Sequence, residues 1–175
     1  MRCTGVAKAN SGFTMLELLV VMVILAILGA RAIPSFLASV RREQLTATSR
    51  SVVDWLEEAR NESIKEMLSC EVLLTLSADK TGQLAVKSTS PGCTEQLPLV
   101  IGGNAPGKTQ LAVNGQQQGN VALLFSPRGT TSSNQEWRLT REEVAVTRCI
   151  RISSPLGLIR LGTLRSNQCD YSQAL

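Results

Sequence analysis

The sequence predicts an α+β protein, in which one long N-terminal helix packs on an antiparallel β-sheet domain. The helix has a membrane-spanning first half, residues 13–33, and an amphipathic second half, residues 34–68. Three observations carry the prediction. The run from Phe13 to Ile33 is predominantly apolar, with Glu17 near its start and Arg31 near its end. As a helix it would rise roughly 30 Å, about the thickness of a bilayer's hydrocarbon core. Beyond Pro34, the residues Leu45, Val52, Val53, Leu56, Ile64, Met67 and Leu68 recur at roughly helical spacing. Arg42, Glu43, Arg50, Glu57, Arg60 and Lys65 lie among them, the pattern of a helix that lays one face on a core. From residue 69 onward, short alternating segments are punctuated by turn residues, and one helix followed by many short strands gives antiparallel sheets.

Taken in order, the chain opens with a short basic leader, residues 1–12, ending at Gly12. A secretory signal peptide has its small-residue cut site after the apolar region, whereas the candidate site here precedes it. A cut between Gly12 and Phe13 would keep the apolar segment on the mature chain. A carboxylate within a membrane costs roughly 2.5–3.5 kcal/mol, so Glu17 needs a partner. The same cut would create one, the new amino group of Phe13. Arg2 and Lys8 precede the apolar run, and the positive-inside rule leaves the N-terminus in the cytoplasm and the bulk of the chain outside.

The stretch Gly12-Phe13-Thr14-Met15-Leu16-Glu17, with the apolar run behind it, closely resembles a type IV prepilin or its relatives, the pseudopilins of type II secretion. Ala59–Lys65, followed by a strand at Val72–Leu76, resembles the helix end of the FimT/GspH group of minor pilins and pseudopilins. The resemblance implies a structural subunit, without enzymatic activity and without a cofactor. It implies cleavage after Gly12 by the prepilin peptidase and N-methylation of Phe13. It further implies that Glu17 pairs with the N-terminal amine of a neighbouring subunit as helices stack into a filament. The partners would be other major and minor pilins or pseudopilins and an inner-membrane assembly platform. Such a subunit waits in the inner membrane as a single-pass protein with its domain in the periplasm. It then joins a pilus or pseudopilus, where minor pilins prime or cap assembly. A proline soon after the apolar segment suits a pilin helix. Arg31 departs from the pattern, and either snorkels to the headgroups or marks the end of the bilayer. The alternative is an uncleaved signal anchor with Glu17 near the headgroups.

Of the 175 residues, those left after the leader and the helix, 69–175, suffice for one globular domain with a real core. The formal charge of +4 loses two positive charges with the leader, too mild a balance to predict nucleic acid by itself. Cys3 would leave with the leader. Cys70, Cys93, Cys149 and Cys169 remain, an even number that in an exported domain suggests two disulfides with three possible pairings. Sequence order favours Cys70–Cys93 and Cys149–Cys169; four reduced core thiols are the alternative. With no histidine and no closely spaced cysteine pair, a zinc site has little support.

Strands are expected at Glu71–Ser77 and Gln83–Ser88 around the turn Asp79–Gly82, then near Leu97–Ile101, Gln110–Val113, Val121–Phe125, Glu136–Thr140, Val144–Ile152 and Gly157–Leu164. Asn114-Gly115, Pro127-Arg128-Gly129 and Ser154–Gly157 punctuate them. Two patterns imitate enzymes. Gly102–Thr109 fits the P-loop letter for letter, but a working P-loop is followed by a helix, and Thr109–Val113 alternates like a strand. Ser77–Lys80 and Lys80-Thr81-Gly82 mimic two β-lactamase signatures, yet they share one lysine, as a turn can and an assembled site cannot.

From Arg138 onward, six arginines (Arg138, Arg141, Arg148, Arg151, Arg160 and Arg165) face Glu142, Glu143 and Asp170. Guanidinium groups can fork onto phosphates. By resemblance, FimT-like minor pilins carry a C-terminal Gly-Arg-x-Arg element that binds DNA. Gly157-Leu158-Ile159-Arg160 retains its glycine and second arginine but has Leu158 in place of the first. Arg148, Arg151, Arg160 and Arg165 are the candidate DNA contacts. The alternative is that such arginines are the solvent side of core strands, and no aromatic lies among them to stack on bases.

Overall fold

The computed structural model describes residues 13–87, 90, 93, 97–102, 109–117, 119–142 and 144–172, with only the backbone of residues 31–34. Helix α1 spans Met15–Lys65. Thr14 caps its start: the Glu17 amide donates to Thr14 Oγ1 at 3.2 Å, and the Leu18 amide to the Thr14 carbonyl at 3.2 Å. Thr14-x-x-Glu17 thus has capping-box spacing. The helix ends before the expected Leu68, because Met67 adopts a left-handed backbone (φ 53°) and turns the chain into the first strand.

The chain divides into two compact units, residues 1–37 and Ala38–Leu175. In the first, the described apolar residues of α1 have no cover; Met15 is 92 % exposed and Leu16 75 %. This is the one helix among the described residues long and apolar enough to cross a membrane.

In the second unit, α1 buries Leu45, Ser49, Val52, Trp55, Leu56, Ala59 and Ser63, a stripe at three- and four-residue spacing. The expected stripe is right at Leu45, Val52 and Leu56 and wrong at its end. Ile64, Met67 and Leu68 are exposed, while the small residues Ala59 and Ser63 continue the contact. Ser63 lies close enough to the sheet for its hydroxyl to donate to the Ser126 carbonyl at 3.1 Å.

Strands β1 (Cys70–Leu76), β2 (Gly82–Val86), β3 (Leu99–Ile101) and β5 (Gly119–Phe125) form an antiparallel sheet in the order β3-β2-β1-β5. Strands β4 (Thr109–Val113), β6 (Gln135–Arg141), β7 (Arg148–Ser153), β8 (Leu158–Arg165) and β9 (Gln168–Asp170) form a second, in the order β4-β6-β7-β8-β9. Alternation sends Val72, Leu74, Leu123 and Phe125 of one sheet, and Leu111, Trp137, Leu139, Ile150 and Ile152 of the other, into a single core with the helix stripe. The indole of Trp137 is fully buried, and its N–H donates to Gln135 Oε1 at 2.8 Å.

Two strand expectations need correction. Residues 144–147 are not in β7: the Val144 amide turns back to the Arg141 carbonyl, so the strand begins at Arg148. β9 was not expected. Ser166 and Asn167, both at positive φ (46° and 67°), make the two-residue hairpin that pairs Arg165 with Gln168. Both disulfides pair as sequence order favours: Cys70–Cys93 with Cα atoms 5.5 Å apart, and Cys149–Cys169 at 6.0 Å. The second ties β9 back onto β7.

Candidate functional site

The two ends of the sequence hold separate candidate sites. At the first, Gly12 lies outside the described residues, Phe13 is 76 % exposed, and Glu17 occupies the first turn of α1 as its only acidic group there. The Thr14 cap places Glu17 at the third helical position, where unpaired backbone N–H groups favour a negative charge. A carboxylate on an uncovered apolar helix is thereby held in its first turn, four residues after Phe13.

The C-terminal arginines do not form one patch. On the outer face of the second sheet, Glu136, Arg151 and Arg160 lie side by side across β6, β7 and β8. Glu136 accepts from Arg138 Nη2 at 2.9 Å and from Arg151 Nη2 at 3.2 Å. Arg151 also stacks 4.6 Å from the centre of the Tyr171 ring. The Tyr171 hydroxyl lies 3.3 Å from Glu136 Oε2. Gly162 leaves room for that ring: a Cβ there would meet Tyr171 Cδ1 at 2.7 Å. Burial works against the Glu136 charge, but hydrogen bonds from Arg138 and Arg151 outweigh it and hold the carboxyl below its usual range. Burial, then the Glu136 charge, pushes the Tyr171 hydroxyl up to about 12. Arg151 is therefore committed to an internal network. Arg160 is exposed, with no ion pair among the described residues, and Arg165 lies 4.0 Å from Asp170.

Arg148 is on the opposite face, correcting its place among surface contacts. In register with Leu139 and Thr163, it lies in the seam between the sheet and α1. Its Nη1 donates to Thr163 Oγ1 at 2.6 Å and its Nη2 to Thr46 Oγ1 at 2.9 Å. Burial, reinforced by Arg50 and opposed by Glu43, lowers its pKa from the ordinary arginine value.

Gly157, the glycine of the DNA-like element, has a packing role. It sits at φ 63°, where an added Cβ would strike the carbonyl oxygen of Gly129. That oxygen accepts from Arg60 Nε at 2.8 Å. Arg60 also donates to the Leu156 carbonyl at 3.3 Å, so it clamps two turns to the helix instead of joining a solvated face. This role had no signal in the sequence beyond the conjunction of an amphipathic helix and a glycine turn.

Residues 103–108 of the P-loop-like stretch lie outside the described residues, but Thr109 opens strand β4, where a phosphate-binding loop requires a helix. The β-lactamase-like residues form a turn, with Lys80 at φ 63° and Asp79 Oδ1 accepting from the Thr81 hydroxyl at 2.7 Å. Among the described residues, no three His, Cys, Asp or Glu side chains come together to hold a metal.

With this architecture in place, residues 7–30 match the prokaryotic N-terminal methylation motif, and residues 48–157 match the type II transport protein GspH model. The chain belongs to the GspH family. A fimbrial protein of Pseudomonas aeruginosa is 32 % identical over 67 % of this chain and 68 % of its own. The fold is similar to the crystal structure of the P. aeruginosa type IV minor pilin FimU. The TM-score is 0.50 at 15 % identity, over 74 % of this chain and 95 % of that one. GspH-family membership makes this a minor pilin or pseudopilin, a structural class of protein. The apolar helix and the methylation motif accord with a membrane-anchored pilus subunit.

Proposed function

We propose that the chain is cut after Gly12 by the prepilin peptidase, methylated at Phe13, and assembled into a type IV pilus-like filament as a minor subunit that primes or caps it. The observation that carries this is the uncovered apolar half of α1, with its capped start and lone first-turn carboxylate, joined to a domain with two disulfides. The apolar half waits in the inner membrane, N-terminus in the cytoplasm and domain in the periplasm, beside the assembly platform. On assembly it trades lipid for neighbouring helices, and Glu17 gains a neighbour's N-terminal amine. Loss of that partner leaves a carboxylate in an apolar bundle, so Glu17→Ala and Glu17→Gln should process normally yet be depleted from sheared filaments. Wild-type incorporation of both variants would refute the pairing. Whether the filament belongs to a pilus or to a type II secretion system is decided by which set of partner subunits carries the chain into sheared filaments.

A second function, DNA contact in natural transformation, is favoured by one observation: exposed Arg160 faces Arg151 across β7 and β8. Binding there would go to phosphates, without sequence preference and with steep salt dependence. Salt-sensitive retention of DNA by the wild-type chain, lost in Arg160→Ala, would support it; equal retention by both would exclude this surface.

A further inference from the structure

We infer that Arg148 is one half of an ion pair whose carboxylate belongs to a neighbouring subunit of the filament. The inference rests on the filament reading above and adds to it a contact in the globular domain. Arg148 lies half-buried between α1 and the second sheet, and both acceptors it reaches, Thr46 Oγ1 and Thr163 Oγ1, are neutral. Its Nε is buried, with no acceptor among the described residues. Thr46 is already occupied as a donor to the Arg42 carbonyl at 2.9 Å.

The surroundings do not neutralise the charge. Arg42 and Arg50 sit one helical turn on either side of Thr46, on the same flank of α1. Arg50 disfavours the Arg148 charge and Glu43 favours it, yet Glu43 is exposed and forms no salt bridge with Arg148 among the described residues. Leu139 and Thr163, its neighbours in the sheet, carry no charge. Partly buried charges in folded proteins are paired, because desolvation without a counter-ion is costly. Two hydroxyl acceptors could be served by a neutral amide, so a clamp alone does not explain a guanidinium here. A half-buried guanidinium whose two acceptors are both neutral, flanked by two exposed arginines, suits a carboxylate arriving from outside at its solvent-facing side. In a bundle of packed subunits, the side chains available to supply it are the aspartates and glutamates of an adjoining subunit.

The test uses the full chain, expressed with its peptidase and partner pilins, and reads sheared filaments. Arg148→Lys puts an amine at the site, and a zero-length carbodiimide joins that amine to any carboxylate in contact with it. The expected product links position 148 to an aspartate or glutamate of another subunit. Arg148→Gln, checked for both disulfides, should be depleted from filaments about tenfold or more. Wild-type incorporation of Arg148→Gln, or a cross-link only to the chain's own Glu43, would overturn the inference. If Arg148→Gln does not fold, the cross-link from Arg148→Lys decides alone, and its absence between subunits counts against the inference. Wild-type protein missing from filaments would refute the filament reading itself and the inference with it.

Discussion

Replacing Gly157 with alanine should destabilise the domain, although the change is one methyl group, because Gly157 is buried at its turn. The left-handed backbone at φ 63° costs an L-residue roughly 1–2 kcal/mol. The new Cβ would overlap the Gly129 carbonyl oxygen, the acceptor of Arg60 Nε, and disturbing a hydrogen bond from a charged group costs about 1.5–3 kcal/mol. With some relaxation of the two turns, the loss is about 2–4 kcal/mol. Urea unfolding of the full chain in detergent, followed by tryptophan fluorescence, measures it, since Trp55 and Trp137 are both buried. Arg60→Ala removes the same contact from the helix side, so the double variant should fall short of additivity by about 1 kcal/mol. A loss below about 0.5 kcal/mol for Gly157→Ala, or strict additivity, would refute the packing role and return Gly157 to a binding element.

Three further outcomes follow from the described contacts. The Glu136 carboxyl titrates below the ordinary glutamate value in the folded chain, so its contribution is present above that ordinary value and lost as pH falls through the folded one. Glu136→Gln should flatten the acid side of the stability profile by about 1 kcal/mol, and an unchanged profile would remove the network's role. Opening Cys149–Cys169 with a double serine variant should cost about 2–4 kcal/mol and free β9; the Tyr171 hydroxyl should then titrate nearer 10 by ultraviolet absorption, and a value still near 12 would contradict the anchoring. Thr14→Ala should lose about 1 kcal/mol of capping, read as roughly fivefold faster amide exchange at Glu17, whereas unchanged exchange would show that Thr14 does not cap.

Much of this architecture is legible in the residues because single-period signals carry it. Alternation located eight of the nine strands among the described residues, and helical spacing found Leu45, Val52 and Leu56. Spacing alone failed where size mattered: Ala59 and Ser63 pack more closely than the exposed Ile64 and Met67, a choice made by the approach of the sheet. β9 escaped notice because Ser166-Asn167 lacks the glycine that usually announces a two-residue hairpin, and a three-residue strand is too short to alternate. The arginines show a different limit. Sequence distance groups Arg148 with Arg151, but an odd separation in a strand sends them to opposite faces. Only the cross-strand register reveals that Arg151 and Arg160 are neighbours, and that Glu136 already engages Arg151.

The central claim is that the chain is processed at its leader, so that Phe13 becomes the first residue and Glu17 meets a free amine. Co-expression of the full chain with a prepilin peptidase, followed by mass spectrometry of the mature N-terminus, tests it most directly. The expected product is a chain beginning at N-methylated Phe13. An intact leader, with the peptidase active on a control substrate, would contradict it and leave an anchored, exported domain outside any filament.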